Sequence, residues 1–355
     1  MAATPRKHTT PLPAAFLTHQ FPPRHIVSRP QAPISPPNAG NIRLAWGLLL
    51  DFLFIALGLV GLYFGAEWLV SGAVATARRV GISPLVASIV IVGFGTSLPE
   101  LLVSVRAALA GAPGIALGNV VGSNIANILL IVGVAAVIFP ISGWDRNVRR
   151  DAATMTASAV FLLFLVQYDV IGRVAGLVLL ALLALFLFRT YRFAVATETG
   201  PELPADGAIP VRKMTVLIIA GLALLVVGAE LLIRGATELA SHFGISDAVV
   251  GLTVVALGTS LPELATAVVA ALKRHSDVAI GNVTGSCIFN VLCIIGATGA
   301  IAPLPVPQGF ASFDVPVMLA ATVFFALMLF FAPKFHRATG VVMMAAYGGY
   351  IWTLV

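Results

Sequence analysis

One segment of the chain is present twice. When the sequence is shifted by 163 positions, residues 65–140 align with residues 228–303 without a gap, and 36 of the 76 aligned positions are identical. Agreement at this level over such a length predicts that both copies fold into the same structural unit. A polar stretch at residues 194–213 separates the copies and is too short to form a domain of its own.

Long apolar runs fill both copies and the residues beside them. The mean hydropathy is +1.00 and only 10% of the residues are charged, against about 25% in soluble proteins. Because about 20 apolar residues cross a bilayer, each run is a candidate transmembrane helix. Ten such runs can be counted, at residues 46–76, 83–110, 114–140, 151–167, 170–193, 214–242, 246–273, 277–302, 311–332 and 336–354. We therefore predict an all-α integral membrane protein with ten transmembrane helices.

The number of predicted spans in each copy determines how the copies are oriented. Residues 46–193 hold five spans, and residues 214–355 hold the other five. Because five is odd, the second copy must enter the membrane from the opposite side. The sequence thus predicts two inverted five-helix repeats, an arrangement that places a substrate site near the bilayer midplane between the repeats.

The basic residues indicate the orientation of the chain in its membrane. Thirteen Lys and Arg residues lie in the connections after odd-numbered spans, and three lie in those after even-numbered spans. Since Lys and Arg concentrate on the cytoplasmic side, we expect a cytoplasmic linker at 194–213 and two external termini. A plasma or bacterial inner membrane is the expected location. Because the membrane topology accounts for the positions of the basic residues, the positive net charge does not indicate a nucleic-acid partner, and none is expected.

Residues 1–45 differ in composition from the rest of the chain. They contain nine prolines and five Lys or Arg residues, but no Asp or Glu. A segment of this composition cannot bury a hydrophobic core. We predict a disordered, basic, Pro-rich N-terminal tail.

Each copy carries one carboxylate in the middle of an apolar run. Glu100 lies in GFGTSLPELLVSV, and Glu263 lies in the matching ALGTSLPELATAV. An ionisable residue within a membrane segment costs several kcal/mol and indicates a functional site. The proline before each Glu cannot donate a backbone hydrogen bond, which leaves the carbonyl groups of Gly95 and Gly258 without their helical donors. A cation could bind to these oxygens.

Hydroxyl and amide groups accompany the two carboxylates. Thr and Ser precede each Glu by four and three residues, a spacing that predicts one shared helix face. A companion motif follows in each copy, GNVVGSNIAN at 118–127 and GNVTGSCIFN at 281–290. Its paired glycines predict close helix packing, and its Ser and last Asn are four residues apart. Oxygen groups of these kinds are the ligands that hard cations take.

Both copies contain GTSLPEL followed by GNxxGSxxxN. This doubled motif resembles that of the sodium/calcium exchanger branch of the calcium/cation antiporter superfamily, and in particular its prokaryotic members. The resemblance covers residues 46–355 and implies a ten-helix fold whose second, third, seventh and eighth helices surround the ions. It implies Glu100 and Glu263 as central ligands. It also implies further oxygen ligands from Thr96, Ser97, Thr259, Ser260, Ser123, Asn127, Ser286 and Asn290, and from the backbone near Gly93 and Ala256.

The resemblance implies secondary active exchange of Na⁺ for Ca²⁺ by alternating access. The proton-coupled branch of the superfamily carries a Glu soon after its GN, where this chain has Gly-Ser in both copies, and this favours Na⁺ as the driving ion. Potassium-dependent relatives carry Asp where this chain has Asn290, so no K⁺ requirement is expected. The alternative within transport is H⁺-coupled exchange of Ca²⁺ or of another divalent cation such as Mg²⁺ or Mn²⁺.

Other functional classes find little support in the sequence. A membrane-embedded enzyme would need a motif such as HExxH or a phosphate-binding loop, and neither occurs. A channel would need a continuous pore and no counter-ion. Cys287 and Cys293 lie six residues apart in one apolar run, which suits neither a disulfide nor a zinc site. We expect no cofactor and no obligate protein partner. Glu67 and Glu230 lie near helix ends, and we interpret them as packing or gating residues.

Overall fold

The computed structural model describes residues 39–142, 146–197, 210–243, 256–332 and 334–354. Residues 45–355 form one compact unit, and the description below concerns that unit. Most of the predicted tail at 1–45 lies outside the described residues, as do residues 198–209 of the predicted linker. The first part of the predicted span at 246–273 also lies outside them.

The described residues are mostly helical. The helices are α1 Ala39–Val80, α2 Pro84–Thr96, α3 Leu98–Leu109, α4 Pro113–Ile138, α5 Arg146–Leu165, α6 Arg173–Thr197, α7 Val211–His242, α8 Ala256–Gly258, α9 Leu261–Leu272, α10 Ser276–Ile301, α11 Asp314–Phe331 and α12 Arg337–Leu354. By length and composition, six of them can cross a membrane: α1, α4, α6, α7, α10 and α11. A seventh crossing results if α2 and α3, which are bent by 41° at their break, count as one span. The chain is therefore an integral membrane protein, whereas the count of ten spans stays a prediction.

The helix break before each carboxylate has the same local cause in both copies. Ser97 separates α2 from α3 with φ −83° and ψ 3°, and Ser260 precedes α9 with φ −88° and ψ 6°. A proline occupies the second position of each new helix, where its missing N–H group breaks no helical hydrogen bond. Glu100 and Glu263 consequently lie in the first turns of α3 and α9, where the helix dipole favours a negative charge.

Two of the six long apolar helices are the most deeply buried. In the apolar window of α10, 94% of the residues are buried, and in that of α4, 72% are buried, against 17% in α1. Both α4 and α10 change from α- to π-helical turns part-way along, at Ala126–Ile131 and Asn290–Ile295. A third π segment occupies Ser88–Gly93 of α2 and packs against α10. Such π-bulges occur frequently at functional sites.

Helices α1 and α7 pack against each other through glycines. A Cβ atom added to Gly58 would lie 2.8 Å from the carbonyl oxygen of Gly228, and one added to Gly65 would lie 2.9 Å from that of Gly221. Only a residue without a side chain allows backbones to approach so closely. Because the earlier glycine of α1 meets the later glycine of α7, the two helices run antiparallel.

Four two-residue strands join the two halves of the unit. Strand β1 (Ile141–Ser142) pairs antiparallel with β4 (Lys334–Phe335), and β2 (Val170–Ile171) pairs antiparallel with β3 (Leu304–Pro305). The 163-residue shift carries the first residue of β1 onto the first residue of β3. Each pair therefore links a connection of the first half with a connection of the second half.

Candidate cation site

The helix starts of α3 and α9 bring the two predicted carboxylates into one buried region. Glu100 and Glu263 both have 0% exposure. Ser97 donates a hydrogen bond from Oγ to Glu263 Oε1 at 3.3 Å, and Ser260 donates from Oγ to Glu100 Oε1 at 3.5 Å. Each serine thus contacts the carboxylate of the other half.

The partners of the two serines add to the expectation drawn from residue spacing. The spacing predicts that each Ser shares a helix face with the Glu three residues later, and this stays a prediction. The hydrogen bond of each Ser goes to the carboxylate of the opposite half, so each hydroxyl group joins one half of the unit to the other.

The serines of the companion motif extend the cluster. Ser286 donates from Oγ to Glu263 Oε1 at 3.4 Å, so that this carboxylate receives two hydroxyl hydrogen bonds. Ser123 instead accepts a hydrogen bond from Ser260 Oγ at 3.2 Å. The carboxylate of Glu100 therefore has one hydroxyl donor where that of Glu263 has two.

The threonine and backbone groups predicted as ligands are held near the same cluster. Thr96 Oγ1 lies 3.5 Å from Ser286 Oγ, and the carbonyl oxygens of Val92 and Gly93 lie within hydrogen-bond reach of it at 3.0 and 3.4 Å. The Gly93 oxygen also lies 3.3 Å from Ser286 Oγ. The backbone oxygen of Gly93 is thus in contact with two predicted ligands. Ala256 is the first residue of α8.

Two asparagines that sequence reasoning did not single out support the site. Asn119 donates from Nδ2 to the backbone oxygen of Glu100 at 3.1 Å, and its Oδ1 accepts from Thr259 Oγ1 at 3.3 Å. Asn282 donates to the backbone oxygen of Glu263 at 3.2 Å and accepts from Thr96 at 3.4 Å. These amides are the Asn of each GN, and their recurrence in both copies was the available signal.

Several buried polar atoms of the site have no hydrogen-bond partner. They are Oε2 of Glu100, Oε2 of Glu263, Oδ1 of Asn290 and both side-chain polar atoms of Asn127. Buried polar groups are normally satisfied, so each exception needs a physical cause. In the part of the chain that the structure describes, neither carboxylate takes part in an ion pair. A bound cation would satisfy the unpaired oxygens and compensate the charge.

The ligands available to a cation are oxygens of several kinds. No group of three or more His, Cys, Asp or Glu residues occurs together among the described residues. Beside the two carboxylates, the site offers hydroxyl, amide and carbonyl oxygens, which suits hard cations such as Ca²⁺ and Na⁺. Soft or borderline metals would instead favour thiolate and imidazole ligands.

Comparison of the chain with known proteins identifies the family to which it belongs. The model of the sodium/calcium exchanger protein family matches residues 50–192 and 213–355. This chain belongs to the sodium/calcium exchanger family. The two matched segments coincide with the two halves described above, and they leave out the region of the predicted linker.

Individual proteins match this chain over almost their whole length. The inner membrane protein YrbG of Escherichia coli is 35% identical over 317 residues, which cover 86% of this chain and 95% of YrbG. The sodium/calcium exchanger MaX1 of Methanosarcina acetivorans is 33% identical, with 86% of this chain and 99% of MaX1 covered. A solved structure of the sodium-calcium exchanger NCX_Mj matches with a TM-score of 0.76 at 33% identity, covering 87% of this chain and 99% of NCX_Mj.

Membership of this exchanger family confirms several of the sequence-based predictions. The chain is a transporter and not an enzyme, and its class of activity is antiport of cations that include Ca²⁺. Na⁺ and Ca²⁺ are the substrates that the family implies. The resemblance inferred from the doubled GTSLPEL motif is likewise confirmed.

Proposed function

We propose that this chain exchanges Na⁺ for Ca²⁺ by alternating access, with the ions bound between Glu100 and Glu263. The proposal rests on the two carboxylates and on the serine hydrogen bonds that reach each of them from the opposite half. Both are fully buried, each accepts a hydrogen bond from a serine of the opposite half, and each keeps one oxygen without a partner. Serine, threonine and asparagine oxygens complete the shell.

The charge of the site accounts for selectivity and coupling. Two carboxylates enclosed in a low-dielectric region repel each other unless a cation neutralises them. One Ca²⁺ cancels both charges, and two Na⁺ ions can do so in its place. Since the two kinds of ion compete for the same oxygens, and the empty site is costly to enclose, movement of one ion is linked to countermovement of the other.

The pairing of the short strands supports an inverted relation between the repeats. Strands β1 and β3 are equivalent under the 163-residue shift, and β1 pairs with β4 in the connection that follows α11. If both repeats entered the membrane in the same direction, the connections joined by each strand pair would lie on opposite sides of the bilayer. An inverted second repeat brings them to the same side, and the antiparallel packing of α1 on α7 agrees with this.

The orientation of the chain is part of the proposal. The excess of Lys and Arg after odd-numbered spans supports a cytoplasmic linker and two external termini in a plasma or inner membrane. Cysteines introduced by Gly200→Cys and Thr353→Cys, in a chain that lacks Cys287 and Cys293, should react with impermeant reagents from opposite sides. Reaction of both from the same side would contradict the orientation and the count of ten spans.

Ion flux in liposomes tests the exchange itself. The full-length chain is purified, reconstituted into Na⁺-loaded liposomes and diluted into Na⁺-free buffer containing Ca²⁺. We expect Ca²⁺ uptake that requires the outward Na⁺ gradient. Uptake driven only by an outward H⁺ gradient would favour H⁺-coupled exchange instead. Uptake that needs no counter-ion would indicate a channel.

A further inference from the structure

The two asparagines that end the companion motifs occupy equivalent positions but have different neighbours. Asn290 donates a hydrogen bond from Nδ2 to Asn124 Oδ1 at 2.9 Å. The polar atoms of Asn127 make no hydrogen bond to an oxygen or nitrogen atom, and the hydrogen-bonding group beside them is the thiol of Cys287. All three asparagines are buried, with exposures of 2% or less. Asn127 and Asn290 therefore have different surroundings, although they occupy equivalent positions in the two halves.

The backbone fixes which end of each amide faces its neighbour. Asn124 donates from Nδ2 to the carbonyl oxygen of Cys287 at 3.4 Å. A carbonyl oxygen can only accept a hydrogen bond, so Asn124 must turn its nitrogen to Cys287 and its oxygen to Asn290. Asn290 must then turn its own nitrogen to Asn124. The Oδ1 atom of Asn290 is left as a free acceptor, and it is buried without a partner.

That free oxygen belongs to a helix segment beside the carboxylates. Asn290 follows Ser286, which donates to Glu263, by four residues, and it begins the π segment Asn290–Ile295. This π segment packs against α3, the helix that carries Glu100. The residue before Asn124 is Ser123, which accepts from Ser260 in the carboxylate cluster. Both partners of the Asn124–Asn290 contact are thus anchored next to the site.

The contact between Asn124 and Asn290 joins the two halves, and its counterpart would join position 287 to Asn127. The 163-residue shift places Cys287 where the first copy has Asn124. A thiol is a weak hydrogen-bond donor and a weak acceptor, so it cannot fix an amide as a second asparagine does. The amide of Asn127 is consequently less constrained than that of Asn290.

We propose that Asn124 is a positioning residue for the cation site, which holds the amide of Asn290 with its oxygen toward the bound cation. The inference rests on the exchange function proposed above and adds a residue to it. An unconstrained amide can present its nitrogen, a donor that repels a cation, as readily as its oxygen. Fixing the orientation before the ion arrives removes that cost from binding. Asn290 is thus a preorganised neutral ligand, and Asn127 is not.

The substitution Asn124→Cys tests this assignment with the residue that occupies the equivalent position in the second copy. We expect the KM for Ca²⁺ in Na⁺-driven uptake to rise about tenfold, equivalent to about 1.4 kcal/mol. The maximal rate should stay within about twofold, because the carboxylates and the rest of the shell are unchanged. Calorimetric titration of the purified protein with Ca²⁺ should show a similar loss of affinity, independent of transport.

Two further variants separate positioning from a general packing effect. Cys287→Ala keeps the carbonyl that anchors Asn124 and removes only the thiol, so its KM should stay within about twofold of the wild type. In an Asn290→Ala background, Asn124→Cys should weaken Ca²⁺ binding by less than about twofold further, because the residue through which Asn124 acts is absent. If Asn124→Cys does not yield monodisperse protein, Asn124→Ala carries the same expectations.

The outcomes distinguish this proposal from the proposed function. If the wild type exchanges Na⁺ for Ca²⁺ and Asn124→Cys leaves the KM unchanged, the positioning role is refuted and the exchange function stands. A full additional loss in the Asn290→Ala background would also refute it. If the wild type binds Ca²⁺ in calorimetry but shows no Na⁺-driven uptake, the function fails, and the calorimetric comparison of the variants still decides the role of Asn124.

Discussion

The two halves of the molecule agree at the cation site and differ around it. Each half contributes a Glu in the first turn of a helix, a Ser that reaches the opposite carboxylate, and an Asn that holds the backbone of its own Glu. The neighbouring positions have diverged: Asn124 corresponds to Cys287, and Ala110 corresponds to Lys273. Duplication thus preserved the groups that would face the ion, whereas the residues behind them became specific to one half.

The largest effect is expected where the halves are equivalent. Glu100→Gln and Glu263→Gln should each abolish Na⁺-driven Ca²⁺ uptake, because Gln keeps the shape of the side chain but removes a charge that Ca²⁺ requires. Glu230→Gln is the matched control and should retain uptake. It also removes a carboxylate from an apolar run, but at an exposed position. Near-normal uptake by either of the first two variants would show that the substituted carboxylate is not part of the cation site.

A change of charge at Asn290 should alter which ions the exchanger needs. Asn290→Asp adds a third carboxylate to a site that already holds two, and three such charges cannot all stay ionised without an additional cation or a bound proton. We expect uptake by this variant to be stimulated by K⁺ or to become more pH-dependent around neutrality, whereas the wild type should work equally well when K⁺ is replaced by an inert cation. A K⁺ requirement in the wild type, or a variant that responds to neither K⁺ nor pH between 6 and 8, would contradict the placement of Asn290 at the shared site.

The two carboxylates accept unequal numbers of hydroxyl hydrogen bonds, and this predicts a smaller difference in Ca²⁺ affinity between two serine variants. Glu263 accepts from both Ser97 and Ser286, whereas Glu100 has Ser260 as its hydroxyl donor in the described structure. Removing the last hydroxyl donor of a buried carboxylate costs more than removing one of two. The KM for Ca²⁺ should rise about tenfold in Ser260→Ala and about threefold in Ser97→Ala. Equal effects in the two variants would mean that the donors are shared differently when the ion is bound.

The smallest effect is expected at an ion pair that joins the two halves and has no counterpart at the equivalent positions. Lys273 Nζ lies 3.2 Å from Glu67 Oε1, so the end of α9 is tied to α1, whereas the equivalent Glu230 is exposed and the position equivalent to Lys273 is Ala110. Both partners of the pair are about one-third exposed, and such pairs contribute about 0 to 1 kcal/mol. Glu67→Gln should lower the thermal midpoint of unfolding by about one or two degrees, and Glu230→Gln should leave it unchanged. A drop of more than about five degrees in Glu67→Gln would indicate a larger structural role.

The sequence contains enough information to identify the helices of the site and most of its side chains. The repeated GTSLPE motif identifies Glu100 and Glu263 because a carboxylate in an apolar run is too costly to keep unless it binds something. The shift between copies then identifies the matching residues. Membership of the exchanger family, membrane integration and the absence of an enzymatic role also follow from the motif, and the comparisons confirm them. The roles of the individual ligands stay predictions.

The contacts between the halves could not be predicted from spacing. The proline of GTSLPE predicts an interruption within one helix, whereas in the structure it starts a new helix after a break at Ser97 or Ser260. The hydroxyl groups of these serines contact the carboxylate of the opposite half, and no periodicity in the sequence predicts such a contact. The contact between Asn124 and Asn290 is likewise invisible in the sequence, because it joins residues 166 positions apart through helices whose π segments alter the register.

The crossed hydrogen bonds of Ser97 and Ser260 also bear on how such a chain could have arisen. Each carboxylate accepts a hydrogen bond from a hydroxyl group of the other copy, so one copy by itself would hold neither the full proposed ligand shell nor both of the proposed negative charges. A gene that encoded a single copy could therefore have formed this site only from two identical polypeptides associated as a dimer. Fusion of the two copies into one chain would have freed positions such as 124 and 287 to change independently. The asymmetry behind the site is the kind of change that joining the two copies in one chain permits.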